Sequence, residues 1–276
     1  EIIDAGPLSL ISFTQPTNGV IVDNGDGTLT YTPTAEFSGP DSLTLVIEDS
    51  FGNLANSATI NFDVSVLTFN WTGGGTSLWS DPVNWGGTVP IDGSNVIIGT
   101  QGGITIIYDE TAGSLNINSL VADESLTISG GSLLLGDSAA DLSSFALGTT
   151  ITLDGGELGG AGNIDVAGQF LWLSGDLVGT GNLSTLVGSI SNLNGQQLNM
   201  NTAYVWKNSG TVNWNGTGVD LDKIALNGNS QFINLIDGVF SDNTNVASFS
   251  EINGVNTASF VNQGEYIKTA ASETRI

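Results

Sequence analysis

From residue 8 to residue 67 the chain alternates apolar and polar positions with the period of half-buried strands. In DSLTLVIED (41–49) Leu43, Leu45 and Ile47 share one face, and in ATINFDVSV (58–66) Ile60, Phe62, Val64 and Val66 do so. Turn-forming phrases separate such runs: PTNG (16–19), DNGDG (23–27) and DSFGN (49–53). About five short strands spaced in this way predict a small β-sandwich, short enough that a strand could be missing or supplied by a neighbour. Past Leu67 the texture changes. FNWTGGGTSLWSDPVNWGGTVPIDGSNVII (69–98) crowds Trp71, Trp79 and Trp85 together, and short apolar bursts broken by Gly and Asn follow. No segment sustains the period of an amphipathic helix, so the chain reads as all-β.

Within those bursts a phrase recurs. GELGGAGNI (156–164) returns as GDLVGTGNL (175–183), aligning Glu157 with Asp176 and Leu158 with Leu177. SGGSLLLG (129–136) is a looser copy upstream. A second phrase, N-x-G followed by any residue and an apolar one, appears as NSGTV (208–212) and NQGEY (262–266), with NLIDGVF (234–240) as a longer version. Periods of roughly 19 to 28 residues indicate stacked units. Without amphipathic helices, the stack is predicted to be a parallel, right-handed β-solenoid. Glycine would supply corners at positive φ, the Asn of N-x-G could take the same turn, and stacked Asn amides could hydrogen-bond along a ladder. The expected division is a sandwich over 1–67, a Trp-rich cap over 68–92 that seals the start of the solenoid, and the solenoid itself over 93–276. Trp172, Trp206 and Trp214 fall within repeat phrases and are expected to pack inside the coils.

Two stretches also carry a family likeness. NGVIVDNGDGTLTYTPTAEFSGPDSLTLVIEDSFGN (18–53) resembles the cadherin-like or bacterial Ig-like repeats of large surface adhesins, in which an xGTxTYTPxxxFxGxDS phrase precedes a D-x-x-G hairpin. The region 69–276 resembles a β-solenoid module of very large secreted or surface-anchored bacterial proteins. The likeness rests on WTGGGTSLWSDPVNWGG (71–87), SLTISGGSLLLG (125–136), ITLDGGELGGAGNIDVAG (151–168), FLWLSGDLVGTGN (170–182), WKNSGTVNWNGTG (206–218) and FVNQGEYIK (260–268) in succession. The stretch NTAYVW after QQLNM departs from it and blurs the coil boundaries there. These resemblances imply an extended stalk or adhesive passenger region at the cell surface or outside the cell, with no shared catalytic residues. Cadherin-like domains often bind Ca²⁺ near their ends, and Asp41, Glu48 and Asp49 are the candidate ligands the resemblance offers.

Charge narrows the partners. Four Lys and Arg stand against 28 Asp and Glu, a net charge of −24 with no histidine. Such a surface repels nucleic acid and anionic lipid and attracts divalent cations. A hydrophobic content of 39% nevertheless argues for a packed chain. There is no cysteine, and no apolar run is long enough to span a bilayer as a helix. The sequence lacks an initiating Met and a signal-peptide core, as a processed or excised chain would. Its last residues, FVNQGEYIKTAASETRI, still read as repeat phrase.

The candidate chemistry is sparse. If the repeats stack, Glu157 and Asp176 lie about 4.8 Å apart. They could be solvated corner residues, a Ca²⁺ bridge, or the carboxylate pair of a retaining glycosidase. DNGDG lacks the twelve-residue spacing of an EF-hand and reads as a hairpin turn. Exposed tryptophans could stack on sugars. No His or Cys is present, serines lack a partner base, and few lysines exist to act as the base of a polysaccharide lyase. Lys207 and Lys223 are candidate donors for an isopeptide crosslink to Asn or Asp, though nothing in their spacing singles them out. The expectation is a non-catalytic module of a secreted or cell-surface repeat protein, with no certain cofactor, Ca²⁺ being the one candidate, and with a carbohydrate or other cell-surface ligand. The alternatives are a subunit of an extracellular filament or sheath joined through its ends, and a polysaccharide-active β-helix enzyme.

Overall fold

The computed structural model describes residues 8–34, 37–54, 58–217, 222–244, 249–254, 257–269 and 273–276. Ala35 and Glu36 of the adhesin-like phrase, Gly218 of the WKNSG phrase and residues 270–272 of the tail fall outside this set. The chain forms two compact units, Glu1–Leu67 and Thr68–Ile276. It is all-β. The helical pieces among the described residues are two 3-10 turns, Pro82–Trp85 and Glu110–Ala112.

The first unit has five described strands: β1 (Ser9–Phe13), β2 (Gly19–Asp23), β3 (Leu29–Pro33), β4 (Gly39–Glu48) and β5 (Ala58–Val64). β1, β4 and β5 make one antiparallel sheet and β2 and β3 a hairpin. The edge-on ring pair Tyr31–Phe62, at 4.7 Å, packs the hairpin on the sheet. DNGDG is the tip of that hairpin, with Asp23 and Asp26 accepting from the backbone of Gly25 and Thr28. The core is small: Ile21 and Leu43 are its buried hydrophobic residues.

The second unit is a parallel β-solenoid of eight coils, each with up to three short faces. The first face is a nine-stranded sheet running from Thr68–Asn70 through Asn95–Ile98, Ser119–Ala122, Leu142–Phe145, Asn163–Val166, Asn182–Thr185, Val205–Asn208 and Gln231–Asn234 to Ser259–Asn262. Coils 1 to 8 are numbered from Asn95–Ile98, and their starts advance by 19 to 28 residues. The second face begins with Thr105–Tyr108 and ends with Glu265–Lys268; the third begins with Ser114–Ile117 and ends with Glu273–Arg275. In coils 3 and 4 these two faces fuse into long bent strands, Thr150–Gly160 and Gln169–Gly179. That fusion shortens the coil to nineteen residues, the spacing of the two opening phrases. Leu158 pairs with Leu177 and Glu157 with Asp176, as the alignment predicts. The NTAYVW stretch resolves into a corner followed by the strand Val205–Asn208.

Among the described side chains of the solenoid strands, alternate residues point inward and stack on their equivalents above and below. On the first face one column runs Val96, Leu120, Ser143, Ile164, Leu183, Trp206, Phe232 and Phe260. Most of these side chains are fully buried, and together with the other faces they form one hydrophobic cluster from Trp71 to Ile252. Parallel strands about 4.8 Å apart bring every side chain into contact with the same position of the next coil. One coil alone encloses nothing; the stack makes the dry interior.

The neighbouring column changes character along the axis. Ile98, Ala122, Phe145 and Val166 give way to Thr185, Asn208, Asn234 and Asn262. Thr185 donates to Asn208 at 2.8 Å, Asn208 to Asn234 at 2.8 Å and Asn234 to Asn262 at 2.7 Å. Asn208 and Asn234 are fully buried, and each amide also reaches the backbone of the following glycine. An amide that donates to one side and accepts from the other meets the rule that buried polar groups must be paired. This is the ladder expected from N-x-G, with a correction to its cause. Thr202 is the one non-glycine at positive φ among the described residues, so the asparagines do not adopt the left-handed turn. The glycine of N-x-G is set by crowding instead: a Cβ on Gly264 would lie 2.2 Å from the Gly238 carbonyl oxygen. The GELGG and GDLVG corners do use positive φ, at 64° for Gly156 and 83° for Gly175.

The start of the solenoid is sealed by the Trp-rich segment. Ser77 and Trp79 pair with Ile107 at the edge of the second face, while Trp71 donates its N–H to Ile97 on the first. Trp71 meets Trp85 edge to face, Trp79 lies tilted against Trp85 and edge-on to Tyr108, and all three indoles are buried. Fully buried Asn84 ties Thr76 and Leu78 together from beneath, and Asp81 caps the Pro82–Trp85 turn.

The buried Asn ladder should be energetically distinct from its exposed counterpart, in which Asn194, Asn215 and Asn243 are linked at 2.8 and 3.0 Å. Asn234→Ala strands buried partners and is expected to cost about 2–3 kcal/mol in urea unfolding. Asn215→Ala should stay within about 0.5 kcal/mol of the parent.

Candidate functional site

The two repeat carboxylates face outward from the third face and lie in one polar row. Ser132, Glu157, Asp176 and Asn199 are successive register partners. The Ser132 hydroxyl donates to Glu157 at 2.9 Å and the Asn199 amide to Asp176 at 2.8 Å. Each acid therefore has a neutral donor on the side away from the other acid, which lets two like charges occupy adjacent rungs. Beside this row a groove of about 360 Å³ opens over Gly160 and Gly179, walled by Leu134 and Val178, with Asn116, Asp137 and Glu157 at its rim. Asn116 and Asp137 hydrogen-bond to each other.

The candidate ligands in the first unit do not converge. Asp41 lies near the start of β4 and Glu48 at its end, seven residues or roughly 23 Å along an extended strand. Asp41 accepts from the backbone N–H groups of Ser42 (2.8 Å), Asn18 (3.0 Å) and Thr17 (3.2 Å) and from the Tyr31 hydroxyl (3.1 Å). Burial pushes its pKa up, but these donors outweigh burial and leave it below the ordinary value. Asp49 accepts from the side chain and N–H of Asn53 and the N–H of Phe51, closing the hairpin turn, and is also held low. Both side chains spend their acceptors on the fold. Among the described residues no three His, Cys, Asp or Glu side chains are grouped to hold a metal ion.

Two further acids were not singled out by the sequence. Glu124, 3% exposed, accepts at 2.5, 2.9 and 3.2 Å from the N–H groups of Gln101, Gly102 and Gly103. Burial raises its pKa, yet the ring of backbone donors lowers it further than burial raises it. Fully buried Asp242 accepts from Lys268 at 2.9 Å and from Tyr266, Thr244 and Thr274. Its pKa is lowered against burial in the same way, and burial together with Asp242 raises that of Tyr266. This pair sits inside the coil: Trp214, Asp242 and Lys268 are register partners on one inward column. The signal existed, because all three stand four residues after the glycine in the phrases NSGTVNW, LIDGVFSD and NQGEYIK. Glu124 had no such signal; its loop lies more than twenty residues upstream.

The remaining candidates are dispersed. All six tryptophans are at most 6% exposed, so none offers a ring face to a sugar. Lys207 and Lys223 lie on outward positions of different faces in coil 6, where their strand partners are Ser184 and Ile233, and Gln197 and Glu251.

Residues 3–65 match the family model of the cadherin-like domain. No curated protein and no solved structure matches the chain.

Because Asp41, Glu124 and Asp242 are all held below their ordinary pKa, each stabilises the fold above its unfolded pKa and ceases to do so as pH falls through the lower, folded one. Glu124→Gln should therefore lower the melting midpoint at pH 7, with a difference from the parent that shrinks below pH 4. Since the named acids are engaged by protein donors, millimolar Ca²⁺ should leave the midpoint of the full chain within about 1 °C. A rise of several degrees would show cation sites built from these carboxylates.

Proposed function

We propose that the chain is a non-catalytic module of an adhesion-type repeat protein, working at the cell surface or outside the cell as a rigid acidic spacer. The match of residues 3–65 to the cadherin-like domain supports the extracellular setting. The observation that carries the spacer reading is the interior of the second unit, one continuous stack into which every tryptophan is drawn. A coil contacts only its neighbours, so length can be added without redesigning the core. The outward repeat acids Glu157 and Asp176 are tied to local donors, and a −24 charge keeps the chain soluble and separated from other acidic surfaces. In this role a carbohydrate or other surface ligand would be held elsewhere in the parent protein or on the outward faces.

The rival reading is a polysaccharide-active enzyme centred on Glu157 and Asp176. Incubating the full chain with neutral and uronic-acid polysaccharides should release no reducing ends and no unsaturated uronate absorbance. Turnover that Glu157→Gln abolishes would overturn the proposal.

A further inference from the structure

A loop of the Trp-rich segment and a loop of the first coil face each other across a pocket of about 350 Å³. Trp71 and the glycines of TGGGTS (72–77) line one side, Gln101 and Ile104 the other. Buried polar groups brace both walls. Fully buried Asn84 accepts from the N–H of Gly75 at 3.0 Å, and Asp81 accepts from that of Thr76 at 3.0 Å. On the far wall the Glu124 carboxylate gathers the N–H groups of Gln101, Gly102 and Gly103. Two short glycine loops are thus held from behind, as a preformed ligand pocket requires.

The groups that face the pocket are unmatched. Trp71 is 3% exposed, yet its indole N–H has no acceptor. A buried donor in that state is uncommon in folded proteins. Gly73 shows where it points. A Cβ there would lie 3.8 Å from Trp71 Nε1 and 3.7 Å from Gln101 Oε1 and would meet nothing closer, and one on Gly74 would meet nothing within 4 Å. A donor and an acceptor therefore flank one opening. Among the described residues no donor reaches Gln101 Oε1, and no acceptor meets the N–H groups of Gly73 and Gly74.

We infer that this pocket takes the acetamido group of a neutral N-acetylated sugar. Its carbonyl oxygen accepts from Trp71 Nε1 and the glycine N–H groups, its N–H donates to Gln101 Oε1, and its methyl lies against Ile104. A hydroxyl could satisfy the polar groups but would leave Ile104 bare. An anion is disfavoured, because no lining residue is charged and the Glu124 carboxylate stands behind one wall on a chain of net charge −24. A peptide strand is disfavoured as well. Added strands pair with a run of free backbone groups, and here the N–H groups of Thr72, Gly75, Thr76 and Gln101–Gly103 are already bound to protein acceptors. The sugar is recognised by the N–H edge of an indole, so no exposed aromatic face is needed.

The inference rests on the surface setting proposed above. It is read by binding alone, so its failure leaves the non-catalytic reading standing, and turnover would sink that reading without touching this one. Titrating the isotope-labelled full chain with the methyl β-glycoside of N-acetylglucosamine should move the Trp71 indole proton downfield, with a dissociation constant of about 1 mM. The methyl glucoside, which lacks the acetamide, should leave that resonance in place up to about 10 mM. N-acetylglycine methylamide, the same group on a peptide, should bind about tenfold more weakly than the sugar. Gln101→Leu removes the acceptor from an exposed side chain and keeps the backbone N–H that Glu124 holds. It should weaken sugar binding about tenfold with an unchanged melting midpoint. An indole resonance that does not respond to the N-acetylated sugar overturns the proposal. So does an equal response to the glucoside or the peptide amide, or full affinity in Gln101→Leu.

Discussion

The fold rests on in-register parallel pairing between equivalent strands of successive coils. A single coil of about twenty residues has three short strands and no interior. Its apolar residues are removed from water only by the same positions of the coils above and below. The register is therefore fixed by what each column must contain. A slip by one residue would turn Leu158 and Leu177 outward and their carboxylate neighbours inward.

The same constraint shapes the polar exceptions. A buried asparagine is tolerable in one coil only if its neighbours supply partners, and Thr185, Asn208, Asn234 and Asn262 do so in succession. The Asp242–Lys268 pair follows similar logic: a charge replacing Trp214 in an inward column is matched by the opposite charge on the next rung and by three hydroxyl donors. Removing Lys268 would leave the fully buried Asp242 carboxylate without its counterion, the costly case for interior ion pairs. At the other end, where the column could have presented bare strand edges, three indoles and the backbone of Ser77 and Trp79 cover it.

Much of this was legible because repetition makes a sequence its own alignment. The nineteen-residue offset alone places Leu158 over Leu177 and Glu157 over Asp176, and N-x-G announces the amide ladder. What escaped was whatever depends on distance between chain segments that share no phrase. The Gln101–Gly103 loop cannot name Glu124 as its guest, and the N-x-G glycine Gly264 looks like a turn glycine until the neighbouring carbonyl is seen 2.2 Å from a would-be Cβ. The cation candidates suggested by family likeness, Asp41, Glu48 and Asp49, lie close in sequence. An extended strand nonetheless carries the first away from the other two.

The stacking itself is best tested by a distance across many coils. Ser119 and Gln231 occupy the same outward position of the first face in coils 2 and 7, five rises apart. Spin labels on Ser119→Cys and Gln231→Cys, measured by pulsed electron double resonance, should give one narrow distribution near 24 Å. A broad distribution, or a mean beyond about 35 Å, would mean that more than a hundred residues of chain are not wound into a stack of this rise.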